Sequence, residues 1–266
     1  MKAFKGKAIY NPSGKAGEYS YWACNFYVGC SNGCTYCYLK TGPLAATMGG
    51  NKPLLKKCFK DEVHALQVFE QEMKTNLAEL QKHGLFFSFT TDPMLPETYH
   101  LTLHAIGICC NNFIPVKILT KCTEWINDFD DRLKLPQDYK LIAFGFTLTG
   151  HDELEPVAST NAERIEAMEK LHNSGFKTFA SIEPIIDFDS SYEMILRSQA
   201  NCDLFKIGLK SGEKYLKHQV IAFVSSVNRQ CESVKIYWKD SLLKAAGINR
   251  DDLSANCVTR NYNLFK

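Results

Sequence analysis

The sequence predicts an α/β protein, an incomplete (β/α)6 barrel of the TIM type formed by a single domain over residues 1–266. Strand and helix patterns alternate along the chain, which is typical of parallel sheets covered by helices. Polar residues follow most of the predicted strands, and no low-complexity stretch or linker separates a second domain. The chain has 266 residues, 45% of them apolar, which is enough for one large core.

The first half of the chain supplies four predicted strands and three predicted helices. The first strand leads into a loop rich in glycine and cysteine. Val63, Leu66 and Phe69 form an apolar face at helical spacing, and Gly84 ends that helix. The predicted strands are Tyr19–Val28, Leu85–Thr90, Val116–Thr120 and Lys140–Leu148, and the predicted helices are Lys60–His83, Tyr99–Cys110 and Glu124–Leu133.

The second half continues the alternation and ends in a strand–helix extension over about 231–266. Ile236 and Trp238 share one face of the last strand, which favours closure of the barrel bottom by this extension over a substrate-side surface. The predicted strands are Phe176–Ile182, Leu204–Leu209 and Val234–Trp238, and the predicted helices are Asn161–Asn173, Ser190–Ser198 and Glu213–Arg229.

Three closely spaced cysteines occupy the loop over residues 29–38, called the cysteine loop below. Cys30, Cys34 and Cys37 are separated by three and then two residues. Thiolates at this spacing can hold three irons of a [4Fe–4S] cube and leave the fourth iron open to a small molecule. A zinc site would need a fourth Cys or His nearby, and none follows in a zinc pattern. Ordinary buried thiols are the other alternative, although the intervening residues are typical of a turn.

Composition indicates an intracellular protein. Residues 1–7 lack the apolar stretch of a signal peptide, and no apolar run is long enough to cross a membrane. We therefore expect no membrane partner. Eleven cysteines together with a cluster motif favour the reducing cytoplasm, where most of the other thiols stay free.

The net charge of +2 is unevenly distributed along the chain. Residues 1–60 carry nine lysines and one glutamate, a net charge of +8. Residues 61–200 have a net charge of −11, and residues 201–266 have a net charge of +5. Two basic ends favour an anionic partner such as a nucleic acid, although scattered lysines are also typical of a solvated surface.

Polar residues mark the carboxyl ends of the predicted strands, where active-site residues of such barrels lie. The segment Ser88–Glu97 contains Thr91 and Asp92, and its polar groups can hold an amino-acid head group. Lys121 follows the third strand, where its ammonium group can pair with a carboxylate. Thr147 ends the fourth strand, where its hydroxyl group is placed for a ribose.

The cysteine spacing and the aromatic residue before the third cysteine resemble the radical S-adenosylmethionine (SAM) enzymes. Other motifs resemble one branch of that superfamily, the spore photoproduct lyase and photolyase-like proteins, over most of residues 10–210. These motifs are Gly17-Glu18-Tyr19-Ser20, Asn25-Phe26-Tyr27-Val28-Gly29-Cys30, the Thr-Asp-Pro after the second predicted strand, the Thr-Lys after the third, and the stretch from Glu155-Pro156 to Pro184.

The resemblance implies two cofactors, a [4Fe–4S] cluster and SAM, and an electron donor such as flavodoxin or ferredoxin. SAM then chelates the open iron, and its cleavage gives a 5′-deoxyadenosyl radical. The resemblance implies that Cys30, Cys34 and Cys37 ligate the cluster and that Thr91 and Lys121 contact the methionyl group of SAM, in the same site as Asp92. It also implies that Thr147 contacts the ribose and that Tyr36, Ile182 and Ile207 contact the adenine. Tyr38 lies beside the cluster in this assignment and is a candidate catalytic residue.

One position departs from the lyase pattern. The lyase supplies a hydrogen-donating cysteine just before its Thr-Ser-Asp stretch, and the equivalent residue here is Phe89. Cleavage of a thymine dimer through that cysteine is therefore not expected. Cys122, at a strand end, is the best-placed substitute donor, and a buried structural thiol is the alternative for it.

Three classes of function are consistent with these features. The first is a radical SAM enzyme that repairs or modifies a nucleic-acid base. The second is a radical SAM maturase acting on a peptide or small metabolite, although no further CxxC pair is present for an auxiliary cluster. The third is a non-catalytic Fe–S or zinc module that binds nucleic acid. Cleavage of SAM by the reduced protein distinguishes the third class from both enzymes.

Overall fold

The computed structural model describes residues 3–41, 45–126 and 138–266. Short strands and helices alternate along these ranges, and no helix within them is both long and apolar enough to cross a membrane. The strands are β1 (Ile9–Tyr10), β2 (Ala23–Cys24), β3 (Tyr27–Val28), β4 (Leu54–Leu55), β5 (Leu85–Phe87), β6 (Val116–Thr120), β7 (Ile142–Thr147), β8 (Lys177–Ile185), β9 (Leu204–Leu209) and β10 (Lys235–Trp238). The helices are α1 (Gly14–Gly17), α2 (Ala45–Met48), α3 (Glu62–Thr75), α4 (Leu77–His83), α5 (Tyr99–Asn111), α6 (Asp138–Leu141), α7 (Asn161–Asn173), α8 (Phe188–Ser198), α9 (Lys217–Gln230) and α10 (Asp240–Ala246).

The chain divides into two compact units. The first comprises residues 1–143, 153–159 and 265. Its strands lie in the order β1-β2-β5-β6, with β1 antiparallel to β2 and with β2, β5 and β6 parallel to one another. Aromatic side chains fill the space between this sheet and α3: the rings of Phe26 and Phe69 are 5.6 Å apart, and those of Phe69 and Phe87 are 6.3 Å apart.

The second unit comprises residues 144–152, 160–264 and 266. Its strands lie in the order β7-β8-β9-β10, and β8, β9 and β10 are parallel. Parallel strands connected through α8 and α9 confirm the α/β class that the alternating pattern predicts.

Strand register sorts the side chains of β8, β9 and β10 onto two faces. Trp238 packs edge-on against Phe223 of α9, with ring centroids 6.0 Å apart. Because successive side chains of a strand point to opposite faces, the neighbours of Trp238 in register face the helices and the preceding residues face the other side. The helix-facing row, called the apolar row, is Ile182, Ile207 and Trp238, and the opposite row, called the polar row, is Ser181, Lys206 and Tyr237.

Two elements predicted as continuous are split in the structure. The predicted strand Tyr19–Val28 is wrong as one element, because β2 pairs with β5 whereas β3 pairs with β4. Asn25 separates the two strands, and its side chain donates to the Tyr10 hydroxyl group at 2.8 Å and accepts from the Phe89 N–H at 2.9 Å. The predicted helix Lys60–His83 breaks at Asn76, between α3 and α4.

Other boundaries differ by a few residues. The strand predicted from Lys140 begins at Ile142, because α6 precedes it, and the helix predicted from Glu213 begins at Lys217. Most of the predicted helix Glu124–Leu133 lies outside the described residues.

The C-terminal extension contributes β10 and α10 to the second unit. Residues 256–258 run along the outer edge of β10, where the Ile236 N–H donates to the Asn256 carbonyl at 3.1 Å and the Val258 N–H donates to the Ile236 carbonyl at 2.8 Å. Backbone groups at that sheet edge are therefore paired rather than exposed.

Candidate active site

The cysteine loop follows β3 as an irregular chain of turns. Gly29 and Gly33 adopt φ angles of +82° and +73°, which favour glycine. Cys34 is buried, Cys30 and Cys37 are partly exposed, and all three are free thiols. The loop therefore brings three soft ligands together on a short segment without a disulfide.

These donors fit a [4Fe–4S] cluster chemically. Across the part of the chain that the structure describes, no three His, Cys, Asp or Glu side chains gather as the ligands of one metal ion. A cube gives each thiolate its own iron, so its ligands do not converge on one point. Burial raises the pKa of the Cys30 thiol to about 11, and the nearby Asp92 carboxylate adds to the rise. The backbone N–H groups of Asn32 and Asp92 oppose it by donating to the Cys30 sulfur.

Asp92 fastens the cysteine loop to the end of β6. One carboxylate oxygen, Oδ2, accepts from Asn32 Nδ2 and from the Lys121 N–H, both at 2.8 Å. The other, Oδ1, accepts from Thr120 Oγ1 at 2.6 Å and from the Met94 N–H at 3.0 Å. The sequence predicts a cofactor contact for Asp92. In the structure both of its carboxylate oxygens accept hydrogen bonds from protein groups, so the carboxylate stabilises the loop.

Lys121 lies at the end of β6 beside a buried carboxylate. Its Nζ is 3.9 Å from Glu155 Oε1 and 5.6 Å from the centroid of the Tyr36 ring. The Tyr36 hydroxyl group donates to the same Glu155 oxygen. Burial raises the pKa of Tyr36, so this hydroxyl group remains a donor at neutral pH. The sequence gives Glu155 only as part of a family motif, and its contact with Lys121 and Tyr36 has no signal in residue spacing.

Thr91 carries a buried hydroxyl group. The residue is 8% exposed, and its Oγ1 has no hydrogen-bond partner among the described residues. The neighbouring hydroxyl groups are paired, since Thr90 Oγ1 donates to the Tyr27 carbonyl and Ser88 Oγ donates to the Thr91 carbonyl. A buried polar group without a partner costs about 1–3 kcal/mol. The Thr91 hydroxyl group can therefore donate to a ligand.

The two predicted catalytic residues have different surroundings. Cys122 is 7% exposed, and its thiol donates to Asn32 Oδ1 at 3.4 Å. Tyr38 is 61% exposed, and its hydroxyl group donates to the Phe89 carbonyl. The Phe89 ring stacks on Phe86 with centroids 4.5 Å apart. An apolar ring therefore occupies the position where the lyase pattern has a thiol.

The predicted nucleoside contacts lie in the second unit. Thr147 is buried at the end of β7, and its carbonyl accepts from Arg164 Nη1 at 2.8 Å. Ile182 and Ile207 are fully buried neighbours in the apolar row. Because the side chains of that row face the helices, only the backbone of Ile182 and Ile207 is available to a ligand on the other side of the sheet.

An ion pair between the buried Lys239 and the partly exposed Glu183, at the ends of β10 and β8, is not predicted by the sequence. Lys239 Nζ lies 2.6 Å from Glu183 Oε2, and the Lys239 side chain is 1% exposed. A Cβ on Gly208 of β9 would come within 2.7 Å of Lys239 Cδ and 2.9 Å of Glu183 Cδ. The missing side chain at Gly208 therefore leaves space for the pair. The position of Lys239 directly after a predicted strand is the signal that points to it.

Comparison with known proteins agrees with the geometry of the cysteine loop. The family model of the Radical SAM superfamily matches residues 24–197, which include all three loop cysteines. The chain belongs to the radical SAM superfamily. Its cofactors are those of the superfamily, a [4Fe–4S] cluster and SAM, as the cysteine loop predicts. The uncharacterized protein MJ0683 of Methanocaldococcus jannaschii is 25% identical over 191 residues, which are 68% of this chain and 66% of that protein.

Solved structures of radical SAM proteins have the same fold. Spore photoproduct lyase complexed with dinucleoside spore photoproduct matches with a TM-score of 0.54 and 14% identity, over 94% of this chain and 64% of the lyase. Streptococcus suis SuiB bound to S-adenosylmethionine matches with a TM-score of 0.54 and 14% identity, over 84% of this chain and 51% of SuiB. The radical SAM chain thus spans about half to two thirds of these proteins. The likeness confirms the predicted incomplete barrel.

Proposed function

We propose that this radical SAM protein abstracts a hydrogen atom from a nucleic-acid base in a repair or modification reaction. The observation that carries the proposal is the cysteine loop, whose three free thiols belong to the same unit as the unpartnered hydroxyl group of Thr91 and the ammonium group of Lys121. When bound, the cluster and SAM supply an electron and a 5′-deoxyadenosyl radical. The electron comes from a small redox protein such as flavodoxin or ferredoxin.

The residues of the chain bind and orient the two cofactors. Cys30, Cys34 and Cys37 bind three irons, and Asp92 holds the loop that carries them. Thr91 donates a hydrogen bond to the methionyl carboxylate of SAM, and Lys121 adds a charge-assisted one.

For the nucleoside part of SAM, the proposal follows the family resemblance. Tyr36 packs on the adenine, Thr147 binds the ribose, and the backbone of Ile182 and Ile207 borders the adenine. Tyr38, an exposed residue whose hydroxyl group donates to the Phe89 carbonyl, is assigned to the substrate side of the cysteine loop in this proposal.

A nucleic-acid substrate is supported by two observations. Both ends of the chain are basic, with net charges of +8 over residues 1–60 and +5 over residues 201–266. The structural neighbour that covers 94% of this chain is a lyase complexed with a dinucleoside. A peptide substrate is the alternative, because SuiB has been solved bound to the precursor peptide SuiA.

We also propose that SAM is consumed in the reaction. Phe89 cannot return a hydrogen atom, and the Cys122 thiol is buried and donates to Asn32. A product radical therefore has no exposed thiol at either position to restore SAM by hydrogen transfer.

The test uses anaerobically reconstituted protein, dithionite as reductant, SAM, and either DNA, RNA or a peptide mixture. We expect DNA or RNA to increase the formation of 5′-deoxyadenosine, and deuterium from labelled nucleic acid to appear in that nucleoside. Stimulation by peptides alone would overturn the nucleic-acid assignment. Reversal of a pyrimidine dimer with catalytic amounts of SAM would overturn the consumption of SAM and would make Cys122 the first candidate donor.

A further inference from the structure

We propose that Glu155 is a positioning residue that holds the Lys121 ammonium group for the carboxylate of SAM and couples it to Tyr36 of the cysteine loop. This inference rests on the proposed function, because it concerns how Lys121 meets SAM. Glu155 itself need not touch SAM in order to act in this way.

The burial of Glu155 is the first reason. Its side chain is fully buried, whereas the Lys121 side chain is 18% exposed. A buried carboxylate is costly unless hydrogen bonds and opposite charge compensate it. Tyr36 supplies a hydrogen bond and Lys121 supplies the charge, both to Oε1. Such a group favours one arrangement of Tyr36 and Lys121, since moving either of them away removes part of the compensation of the Glu155 charge.

The restraint on Lys121 is the second reason. Lysine has a flexible four-carbon stem and about 2 kcal/mol of rotamer entropy to lose when its ammonium group is fixed. The Lys121 ammonium group lies 3.9 Å from Glu155 Oε1 and 5.6 Å from the centroid of the Tyr36 ring. The ammonium group has three N–H donors, so it can face Glu155 and a ligand carboxylate at once. If the Lys121 ammonium group is already held in place, SAM binding loses less conformational entropy.

The backbone around Glu155 is fastened to the same two partners. The Thr35 N–H donates to the Leu154 carbonyl at 3.0 Å, which joins this segment to the cysteine loop. The Ser159 N–H donates to the Lys121 carbonyl at 3.1 Å, which joins it to the end of β6. Residues 154–159 therefore connect the cysteine loop to Lys121 through backbone hydrogen bonds.

The experiment compares Glu155→Gln with Lys121→Ala, singly and together, in the cluster-loaded protein. The readouts are iron content, melting temperature, the SAM dissociation constant from calorimetry, and the shift of the EPR spectrum of the reduced cluster on SAM addition. Glu155→Gln should keep the iron content and weaken SAM binding about tenfold. The double variant should bind SAM no more weakly than Lys121→Ala alone, since a residue that acts through Lys121 has no effect without it.

Two further variants keep the test decisive. Glu153→Gln makes the same change at an exposed site two residues away and should leave SAM affinity unchanged. Glu155→Asp retains the negative charge and should recover part of the affinity if Glu155→Gln folds poorly.

The outcomes separate the two proposals. Wild-type affinity in Glu155→Gln, or additive losses in the double variant, would overturn the role of Glu155 while the proposed function stands. A cluster-loaded wild-type protein that does not bind SAM would overturn the proposed function itself.

Discussion

Charged side chains are paired differently around the cysteine loop of the first unit and at the strand ends of the second unit. In the first unit Asp92 accepts four hydrogen bonds, two of them from backbone N–H groups. In the second unit Lys239 and Glu183 meet directly at 2.6 Å. The hydrogen bonds of Asp92 fix loops in place, whereas the ion pair joins side chains from two strand ends. We therefore expect the order of the cysteine loop to depend on Asp92 and the stability of the second unit to depend on the ion pair.

This contrast makes separate predictions for the two regions. Changes around the cysteine loop should affect cluster content and SAM binding most. Changes at the strand ends of β8 and β10 should affect stability most and leave the cluster in place. The predictions below run from the largest expected effect to the smallest.

The largest effect is expected for Cys34→Ala, which removes one of the three thiolates. Anaerobic reconstitution should give about four irons per chain in the wild type and close to none in the variant, because a cube with two protein ligands is poorly held. Cys58→Ala is the matched control, since Cys58 is an exposed free thiol. Equal iron content in Cys34→Ala and the wild type would contradict the assignment of the cysteine loop.

A large loss of stability is expected for Lys239→Met. Removing the buried Lys239 ammonium group takes away the partner that lies 2.6 Å from the partly exposed Glu183 carboxylate. This change should cost about 3 kcal/mol and lower the melting temperature on the order of 10 °C. Iron content should stay at the wild-type level. Differential scanning calorimetry measures the melting temperature, and iron analysis measures the iron content.

Two variants control for this loss. Lys239→Met combined with Glu183→Leu should recover much of the stability, because no lone charge remains. Lys214→Met changes an exposed lysine and should have little effect. A double variant less stable than Lys239→Met would show that the pair itself, rather than the orphaned carboxylate, sets the stability.

An intermediate effect is expected for Asp92→Asn. The amide keeps the shape of the carboxylate but presents an N–H₂ group to two of the four donors. We expect a loss of about 2–3 kcal/mol in unfolding free energy and a lower yield of cluster-loaded protein. Glu97→Gln, an exposed change in the same segment, is the control. A variant with full stability and weakened SAM binding would support the direct cofactor role that the sequence predicts for Asp92.

The two regions also differ in how far the sequence predicts them. Motif spacing predicts the cluster ligands Cys30, Cys34 and Cys37. Strand ends and the family resemblance point to Thr91 and Lys121. The role of Glu155 depends on contacts across more than 30 residues of sequence, with Lys121 and with Tyr36. Such contacts follow from the fold and leave no periodic signal.

Strand register decides which face of the sheet a side chain occupies, and the sequence does not predict it. The family resemblance predicts contacts for Ile182 and Ile207, and the polar row on the opposite face of the strands holds Ser181 and Lys206. A shift of one residue moves a side chain to the other face of a strand, and the continuous apolar run of a buried parallel strand does not tell the faces apart. The strands themselves were predicted because β-branched and aromatic residues alternate with helical segments, a pattern that depends only on local sequence.

The smallest effect on stability, and the sharpest test of the site in the first unit, is expected for Thr91→Val. The change replaces a hydroxyl group that has no partner among the described residues by a methyl group of similar size. The melting temperature should stay the same or rise slightly, since an unsatisfied buried polar group is removed. SAM binding should weaken about tenfold, which corresponds to the loss of about 1.4 kcal/mol from one hydrogen bond to a charged group.

Thr120→Val is the matched control for Thr91→Val, because the Thr120 hydroxyl group donates to Asp92 Oδ1 at 2.6 Å. The same substitution there leaves a buried carboxylate oxygen short of a donor, so it should lower the unfolding free energy by about 1–3 kcal/mol. Opposite signs in the two melting temperatures, with SAM affinity falling in Thr91→Val, would mean that the Thr91 hydroxyl group serves the ligand rather than the fold. A loss of stability in Thr91→Val equal to that in Thr120→Val would instead give Thr91 a partner within the protein and remove it from the SAM site.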